Sequence, residues 1–356
     1  MDFALDESQR AVVDLAGSVL RRETGSTAWK ALADAGLLGL AVSERWGGAG
    51  LGALETALVL TEVGRQAATL PALATLALGV LPVATAGTPE QQERVLPGVV
   101  AGDLLLTGAL NEPGRPLPDR PDTAARPDGE QLVVSGRKIG VGHAAGAHRI
   151  LVPARIGEGV GVLLVDPTAD GVTLTATPAS GPAPEFALRL ENVVVPTADL
   201  LGGDRTGAVA AALVRFGLLG AAALGDGLLA GALALTTSHI GSREQFGRPL
   251  AAFQGVALQI ADVYVAARTL HLAALSAGWR LASGRDATED LAVAGYWLAE
   301  ELPAALHICH HLHGGLGLDV SYPLHRYSAQ VRDLARFVGG ADDRLSRLGD
   351  LVAEGA

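Results

Sequence analysis

The hydrophobic period of this chain changes twice, and those two changes restrict its fold more than any single residue does. Over roughly the first hundred residues, apolar positions recur at helical spacing. Near residue 104 the pattern becomes short runs rich in Val, Leu and Thr, separated by Pro, Gly and Asp, as expected of strands joined by turns. From about residue 206 helical spacing returns and persists to the end. The order helices, sheet, helices predicts a mainly α protein with a central β-domain. The expected divisions are a helical region over 1–105, an antiparallel β-module over 106–203 and a second helical region over 204–356.

Local signals fill in this outline. Asp6 is placed to cap a helix over 6–22, and further helices are expected over 29–36, stopped by Gly36, over 53–65 and over 70–86. Thr88 followed by Pro89 opens a helix predicted to end near Pro97. Strands are expected over 104–110, 131–135, 149–153, 160–165, 173–177 and 186–195. Residues 113–128 hold five prolines and three arginines and read as a loop. In the last region, breaks fall at Gly247-Arg248-Pro249, Ser283-Gly284-Arg285, Gly314-Gly315 and Gly339-Gly340.

Composition excludes several classes. With 49% hydrophobic and 18% charged residues the chain can bury a large core, and disorder is not expected over most of it. A net charge of −11 argues against nucleic acid and against an anionic membrane surface, although a local basic patch could still hold an anionic ligand. Cys309 is the single cysteine, so no intrachain disulfide forms, which fits a cytoplasmic protein. The start, Met1 to Glu7, is acidic and amphipathic, unlike a signal peptide. Two apolar stretches, 67–87 and 208–237, are long enough to suggest membrane spans. The first is interrupted by Pro71, Gly79 and Pro82 and the second contains Arg215 and Asp226, so buried bundle helices are expected and no membrane partner.

Few motifs carry chemistry. Gly48-Ala49-Gly50-Leu51-Gly52 is half of a dinucleotide fingerprint, but no strand leads into it. His307 and His311 are four residues apart and could share a metal, yet no acidic residue sits among them, and histidines at a helix end also serve packing or the helix dipole. No metal is assigned. No serine nucleophile motif is present. The richest stretch is Arg243-Glu244-Gln245-Phe246-Gly247-Arg248-Pro249, followed by Phe253-Gln254. A guanidinium fork suits phosphate oxygens, an aromatic ring can wall off a heterocycle, and an amide can read a base edge or a sugar.

In sequence order, these pieces resemble the acyl-CoA dehydrogenase family over nearly the whole chain. The carriers are Trp29 to Leu40 leading into Trp46-Gly47-Gly48-Ala49-Gly50, then Asn111-Glu112-Pro113-Gly114, Ser135-Gly136-Arg137-Lys138, the Arg243 stretch closed by Ala261-Asp262, and His311-Leu312-His313-Gly314-Gly315-Leu316-Gly317 with Tyr322-Pro323 and Arg326. The resemblance implies an N-terminal helical domain, a middle β-barrel, a C-terminal four-helix bundle and a dimer or tetramer. It also implies non-covalent FAD, an acyl-CoA thioester oxidised at its α,β bond, and an electron-transfer flavoprotein as acceptor. Arg243, Phe246, Gln254, His311, Gly314 and Gly315 are the implied cofactor-binding residues, reaching across the oligomer to a neighbour's FAD.

The departures are as informative. The family's catalytic glutamate falls, counting from Gly315, on Val338; its alternative location in a minority of members falls near Gly217. Neither is a carboxylate, so no catalytic residue is assigned. The flavin-stacking aromatic and the hydroxyl after the family's lysine are Gly140 and Gly142 here, a Gly-Ser-Asp turn has become Arg115-Pro116-Leu117, and Asn111 replaces a threonine. One half-site is eroded and the other retained. The expectation is therefore a partner subunit that completes the FAD site of a homologous catalytic subunit, as in a heterotetramer. A self-associated dehydrogenase with an atypical base and a flavin-free scaffold of the same fold remain the alternatives.

Overall fold

Asp6 caps the first helix as the sequence predicts, accepting from the Gln9 backbone N–H at 2.8 Å while the Gln9 side chain returns a bond to Asp6 N. The computed structural model describes residues 3–355; Met1, Asp2 and Ala356, at the two ends of the expected regions, lie outside the described residues. Helix α1 (Glu7–Arg22) is followed by α2 (Gly25–Asp34), which starts earlier than expected and is stopped by Gly36 in the left-handed region at φ 74°. Helix α3 (Ala53–Arg65) comes next. The predicted helix over 70–86 forms, but residues Leu73–Val80 are wound as a π-helix before continuing into α4 (Leu81–Ala86). Pro82 lies in the first turn of α4, and the Leu81 N–H reaches back to Leu76 O, the wider spacing of a π-turn. Helix α5 (Pro89–Val100) has the expected Thr88 cap but runs past Pro97, because Ala101 N–H still closes on the Pro97 carbonyl at 3.0 Å.

The Gly47–Gly52 stretch serves this helical region rather than a dinucleotide. Gly47 and Gly50 are left-handed, and a Cβ on Gly48 would lie 2.1 Å from Val42 O and 2.5 Å from Gly39 O. Only glycine fits that turn.

Seven strands follow: β1 (Leu106–Gly108), β2 (Ala124–Asp128), β3 (Gln131–Gly142), β4 (Arg149–Ile156), β5 (Gly159–Val165), β6 (Val172–Thr177) and β7 (Glu185–Pro196). They form one curled sheet in the order β1-β4-β2-β3-β7-β6, with β5 on β4. Two expectations are corrected. The sheet is mixed, since β1 and β2 both pair parallel to β4. The proline-rich loop contains β2, whose register against β3 pairs Pro127 with Leu132 and Arg126 with Val133.

The chain then enters α6 (Ala208–Ser242), a tight hairpin of β8 (Glu244–Gln245) and β9 (Arg248–Pro249), then α7 (Gln254–Ala282), α8 (Thr288–His313), α9 (Leu324–Phe337) and α10 (Gly340–Gly355). Helix α6 is long and apolar enough to cross a membrane, yet 72% of its apolar window is buried inside this protein, as the core helix of the bundle. It packs on α3 with backbones nearly touching. A Cβ on Gly227 would lie 1.8 Å from Thr61 O, and one on Gly64 would lie 2.1 Å from Leu224 O. A Cβ on Gly231 would lie 2.3 Å from Arg65 O, and one on Gly220 would lie 2.5 Å from Ala77 Cβ.

The β-region is anchored by a buried ion pair. Lys138, fully buried on β3, places Nζ 2.9 Å from Glu112 Oε1. The Glu112 carboxylate also accepts from Asp122 N, Thr123 N and Thr123 Oγ1, at 2.6, 2.9 and 2.6 Å. Burial pushes the Glu112 carboxyl up, but the Lys138 ammonium and these donors outweigh it and hold it at about 2. Lys138→Met is therefore expected to destabilise the protein by about 3–5 kcal/mol, by stranding a buried carboxylate, and adding Glu112→Gln should recover part of the loss. Denaturant unfolding of both variants measures this. Because the folded value lies below the ordinary 4.5, the contribution of Glu112 is complete above that pH and is lost as pH falls toward 2. The wild type should show this acid loss and the double variant should not.

Candidate functional site

Two places bring together residues singled out in the sequence, and they differ in what this chain contributes to each. The first is a cavity of about 140 Å³ between the N-terminal helices, the sheet and α9. Val63, Leu70, Leu73, Leu78, Leu224, Leu334 and Phe337 make it apolar, and Thr107, Gly140, Gly142 and His143 face it from the sheet. Both predicted base positions lie near its wall. Val338 is fully buried at the end of α9, and a Cβ on Gly217 would point at Leu78 and Phe337, 3.0 and 3.4 Å away. Neither brings a carboxylate to the space.

The sheet side of this cavity is not built for a flat heterocycle. Gly140 sits at a register shift between β3 and β7 with φ +66°, a conformation that strains any L side chain. Gly142 offers no hydroxyl, and its carbonyl is occupied by Thr107 Oγ1 at 2.7 Å. The Asn111 amide is used at both ends, donating to Phe337 O at 2.9 Å and accepting from Leu117 N at 2.8 Å. Leu117 is fully buried with φ +41°, and Arg347 donates to the Pro116 and Leu117 carbonyls, each at 3.0 Å. The β6–β7 connection walls the other side. Asp333 on α9 accepts from Ser180 N and Gly181 N at 2.9 and 2.7 Å, and Arg336 grips both Glu185 oxygens at 2.6 and 2.7 Å. The remaining volume is below the roughly 300–1,000 Å³ usual for ligand pockets. A depression of about 340 Å³ adjoins the cavity through Gly140, Glu185, Asp333 and Phe337, lined also by Asn111, Pro116 and Gly339, and Gly140 and Gly142 bring this side of the molecule neither a stacking ring nor a hydroxyl.

The second place is a surface depression of about 810 Å³ where the end of α6 meets the end of α8. Here the structure brings Arg243, His311, Gly314 and Gly315 together. Gln245, from the same stretch, lines it too; sequence reasoning missed His239 and Ser242, just before Arg243, and Leu250, Val256 and Gln259, which the fold adds. No carboxylate lines it, although the protein carries a net charge of −11. Among the described residues Arg243 has no ion-pair partner. Gly314 adopts φ 58°, ψ −137°, which favours glycine. Gly315 is not left-handed and nothing lies within 4 Å of its would-be Cβ, so no contact within this chain requires a glycine there.

Phe246 and Gln254 do not line this depression. Phe246 and Gly247, at φ 53° and 76°, form the two-residue turn between β8 and β9. The Phe246 ring is 92% exposed, touching only Phe253 edge-on at 6.2 Å, and Gln254 is exposed at the start of α7. An aromatic held left-handed in solvent costs this chain energy without returning packing. Beside the His307–His311 pair, the neighbouring histidines have other partners: His310 Nε2 bonds Ser328 Oγ, and His313 bonds Cys309 O and Tyr322 Oη at 2.8 and 3.0 Å. Among the described residues no three His, Cys, Asp or Glu groups converge as a metal site.

Comparison with known proteins gives the family. Residues 3–103 match the model of the acyl-CoA dehydrogenase N-terminal domain, and residues 209–349 match that of the C-terminal domain. The chain belongs to the acyl-CoA dehydrogenase family. It is 47% identical over 350 residues to the acyl-CoA dehydrogenase FadE28 of Mycobacterium tuberculosis (strain ATCC 25618 / H37Rv), covering 98% of each chain. The fold superposes with a TM-score of 0.92 on a chain of the ChsE4-ChsE5 complex from Mycobacterium tuberculosis, at 32% identity and covering 99% of each chain. A chain of the Tcur3481-Tcur3483 steroid ACAD, a G363A variant, gives 0.91 at 35% identity, covering 98% of each chain. As a member of this acyl-CoA dehydrogenase family, the chain has the fold of an oxidoreductase acting on acyl-CoA.

The positive φ at Gly140 yields a direct test. Gly140→Trp, which replaces the lost ring, should fail to create flavin binding in the isolated chain. It should also lower stability by about 1–2 kcal/mol, the cost of a left-handed L residue; flavin absorbance and thermal unfolding measure the two effects.

Proposed function

We propose that this chain is the partner subunit of a heteromeric acyl-CoA dehydrogenase, completing the FAD site of a homologous catalytic subunit, as in a heterotetramer. The observation that carries this reading is the contrast between the two places just described. The cavity is small and its lining carboxylates, Asp333 and Glu185, are bonded to the β6–β7 backbone and to Arg336, while an open, carboxylate-free surface presents a guanidinium with no ion-pair partner among the described residues, beside two exposed glycines. Its structural relatives include a chain of the ChsE4-ChsE5 complex and one of the Tcur3481-Tcur3483 steroid ACAD, which supports a second chain here.

In this reading the regions over 1–105, 106–203 and 204–356 are the N-terminal, middle and C-terminal domains, and the last presents the donated residues. Arg243 holds the diphosphate of the neighbour's FAD by charge-assisted bonds. The backbone of Gly314 and Gly315 lets the dinucleotide approach closely, His311 offers one ring nitrogen to it, and Phe246 and Gln254 meet the neighbouring subunit beside it. Bound FAD supplies two-electron oxidation of the acyl thioester. The acyl-CoA and its base belong to the catalytic subunit, electrons leave to an electron-transfer flavoprotein, and the likeness to a steroid enzyme suggests a steroid side chain as the acyl group.

Purified alone, the chain is expected to carry no stoichiometric flavin and to oxidise no acyl-CoA, since a missing general base alone lowers the rate about 10²–10⁴-fold. Co-expressed with a homologous subunit that has the glutamate, it should yield a flavin-bearing complex. In that complex Arg243→Ala should release FAD, because about 1.5–3 kcal/mol of charge-assisted bonding, roughly tenfold or more in affinity, is lost. Stoichiometric FAD and turnover by the isolated chain would sink the proposal, and no flavin in either preparation would favour a scaffold.

A further inference from the structure

Beside Arg243 lies a group that the sequence did not single out. His239 is one turn earlier on α6, its carbonyl accepting from Arg243 N at 2.8 Å, and it lines the same depression. Its ring stacks on that of His313 from α8, with centroids 4.5 Å apart and planes 17° from parallel. His313 is fixed by its own bonds. The Cys309 carbonyl can only accept, so the His313 Nδ1 at 2.8 Å carries the proton; Nε2 then accepts from Tyr322 Oη at 3.0 Å. His313 is thus a neutral imidazole with both ring nitrogens occupied, available only as a stacking surface. His239 has no hydrogen-bond partner among the described residues, so its ring nitrogens are unspent.

We propose that His239 is a further ligand of the nucleotide diphosphate, an imidazole held against His313 and aimed, with Arg243, at the phosphate oxygens. The proposal rests on the reading of this surface as a donated dinucleotide half-site and adds a residue and a proton to it. The titratable and charged groups around His239 are Arg243 on its own helix and His311 and His313 on α8, with Tyr322 behind His313; none is a carboxylate. Partial burial, and then the neighbouring Arg243, hold the free imidazole below its ordinary value, so it is neutral near pH 7. An arriving diphosphate reverses that balance, because a close opposite charge favours the protonated ring. Binding therefore takes up a proton at His239 and is tighter at pH 6 than at pH 8.

The shared chemistry is an adenosine diphosphate group, which FAD and CoA both contain. The test titrates the purified chain with ADP, FAD, CoA and adenosine while following the His239 ring and the Gly314 and Gly315 amides by NMR. ADP and FAD should move all three and raise the apparent pKa of His239 by about 1, equivalent to roughly tenfold tighter binding to the protonated chain. Adenosine should do neither, and in His239→Gln the ADP affinity should lose its pH dependence, with thermal unfolding verifying the fold. If ADP moves the glycine amides in an Arg243-dependent way but leaves the His239 pKa unchanged, this inference fails and the half-site reading stands. If ADP moves nothing, or acts equally on Arg243→Ala, both fail. A response to CoA but not to FAD would overturn the assignment of the diphosphate to FAD.

Discussion

The glycine seam between α3 and α6 is the constraint from which the rest of the molecule takes its dimensions. Gly64, Gly227 and Gly231 let the two helices approach until backbone atoms of one occupy the space a Cβ would need on the other. Gly220 brings the π-wound segment against the same helix. Val63 on α3, Leu78 on the π-segment and Leu224 on α6 then converge as the apolar floor of the cavity. Packing that close is stiff, since a methyl group anywhere along the seam has no place to go. The cavity floor is thereby fixed, and the differences from an open ligand site come from the sheet and from α9.

Those differences share a physical pattern: backbone groups and side chains that could face a ligand are bonded to each other. The Asn111 amide spans from Leu117 N to Phe337 O, the Gly142 carbonyl takes Thr107, and Asp333 takes two backbone donors of the β6–β7 connection. A polar group satisfied inside the fold gains little from an incoming ligand and must lose a bond to receive it. At the depression the accounting is reversed. Among the described residues Arg243, His311 and His239 keep their side-chain donors unspent, and Phe246 holds a left-handed backbone with only an edge-on ring contact to Phe253 recorded for its side chain. Most of the polar capacity around the cavity is spent within the chain, while the depression keeps its donors free for an incoming group.

Much of this was legible in the sequence because it is local. The two changes of hydrophobic period located the sheet, and Asp6, Thr88 and Gly36 marked helix ends, since caps and left-handed stops act within a few residues. Strand β2 was hidden, since its Pro127 and neighbouring prolines outweigh a ladder supplied by β3. The π-winding was also hidden, as it depends on Pro82 meeting a helix already packed on α6. At the site, Arg243, His311 and the double glycine could be named from motif spacing. His239 and Gln259 could not, because their place beside α8 is set only when α6, α7 and α8 meet in the folded bundle. The Glu112–Lys138 pair, 26 residues apart, is of the same kind.

The exposed ring of Phe246 also bears on how such a subunit lives in a cell. Other large apolar side chains are exposed elsewhere in the C-terminal helices: Leu318 and Val320, 80% and 83% exposed on the segment after α8, and Leu258, Tyr264 and Val265 along α7. Apolar surface of that extent invites indiscriminate association when nothing covers it. A chain synthesised in excess of whatever covers this surface is therefore a burden rather than a reserve, open to aggregation and to proteases. In the heteromer proposed above, balanced synthesis of the two chains would follow as a requirement on the genes, imposed by a two-residue turn.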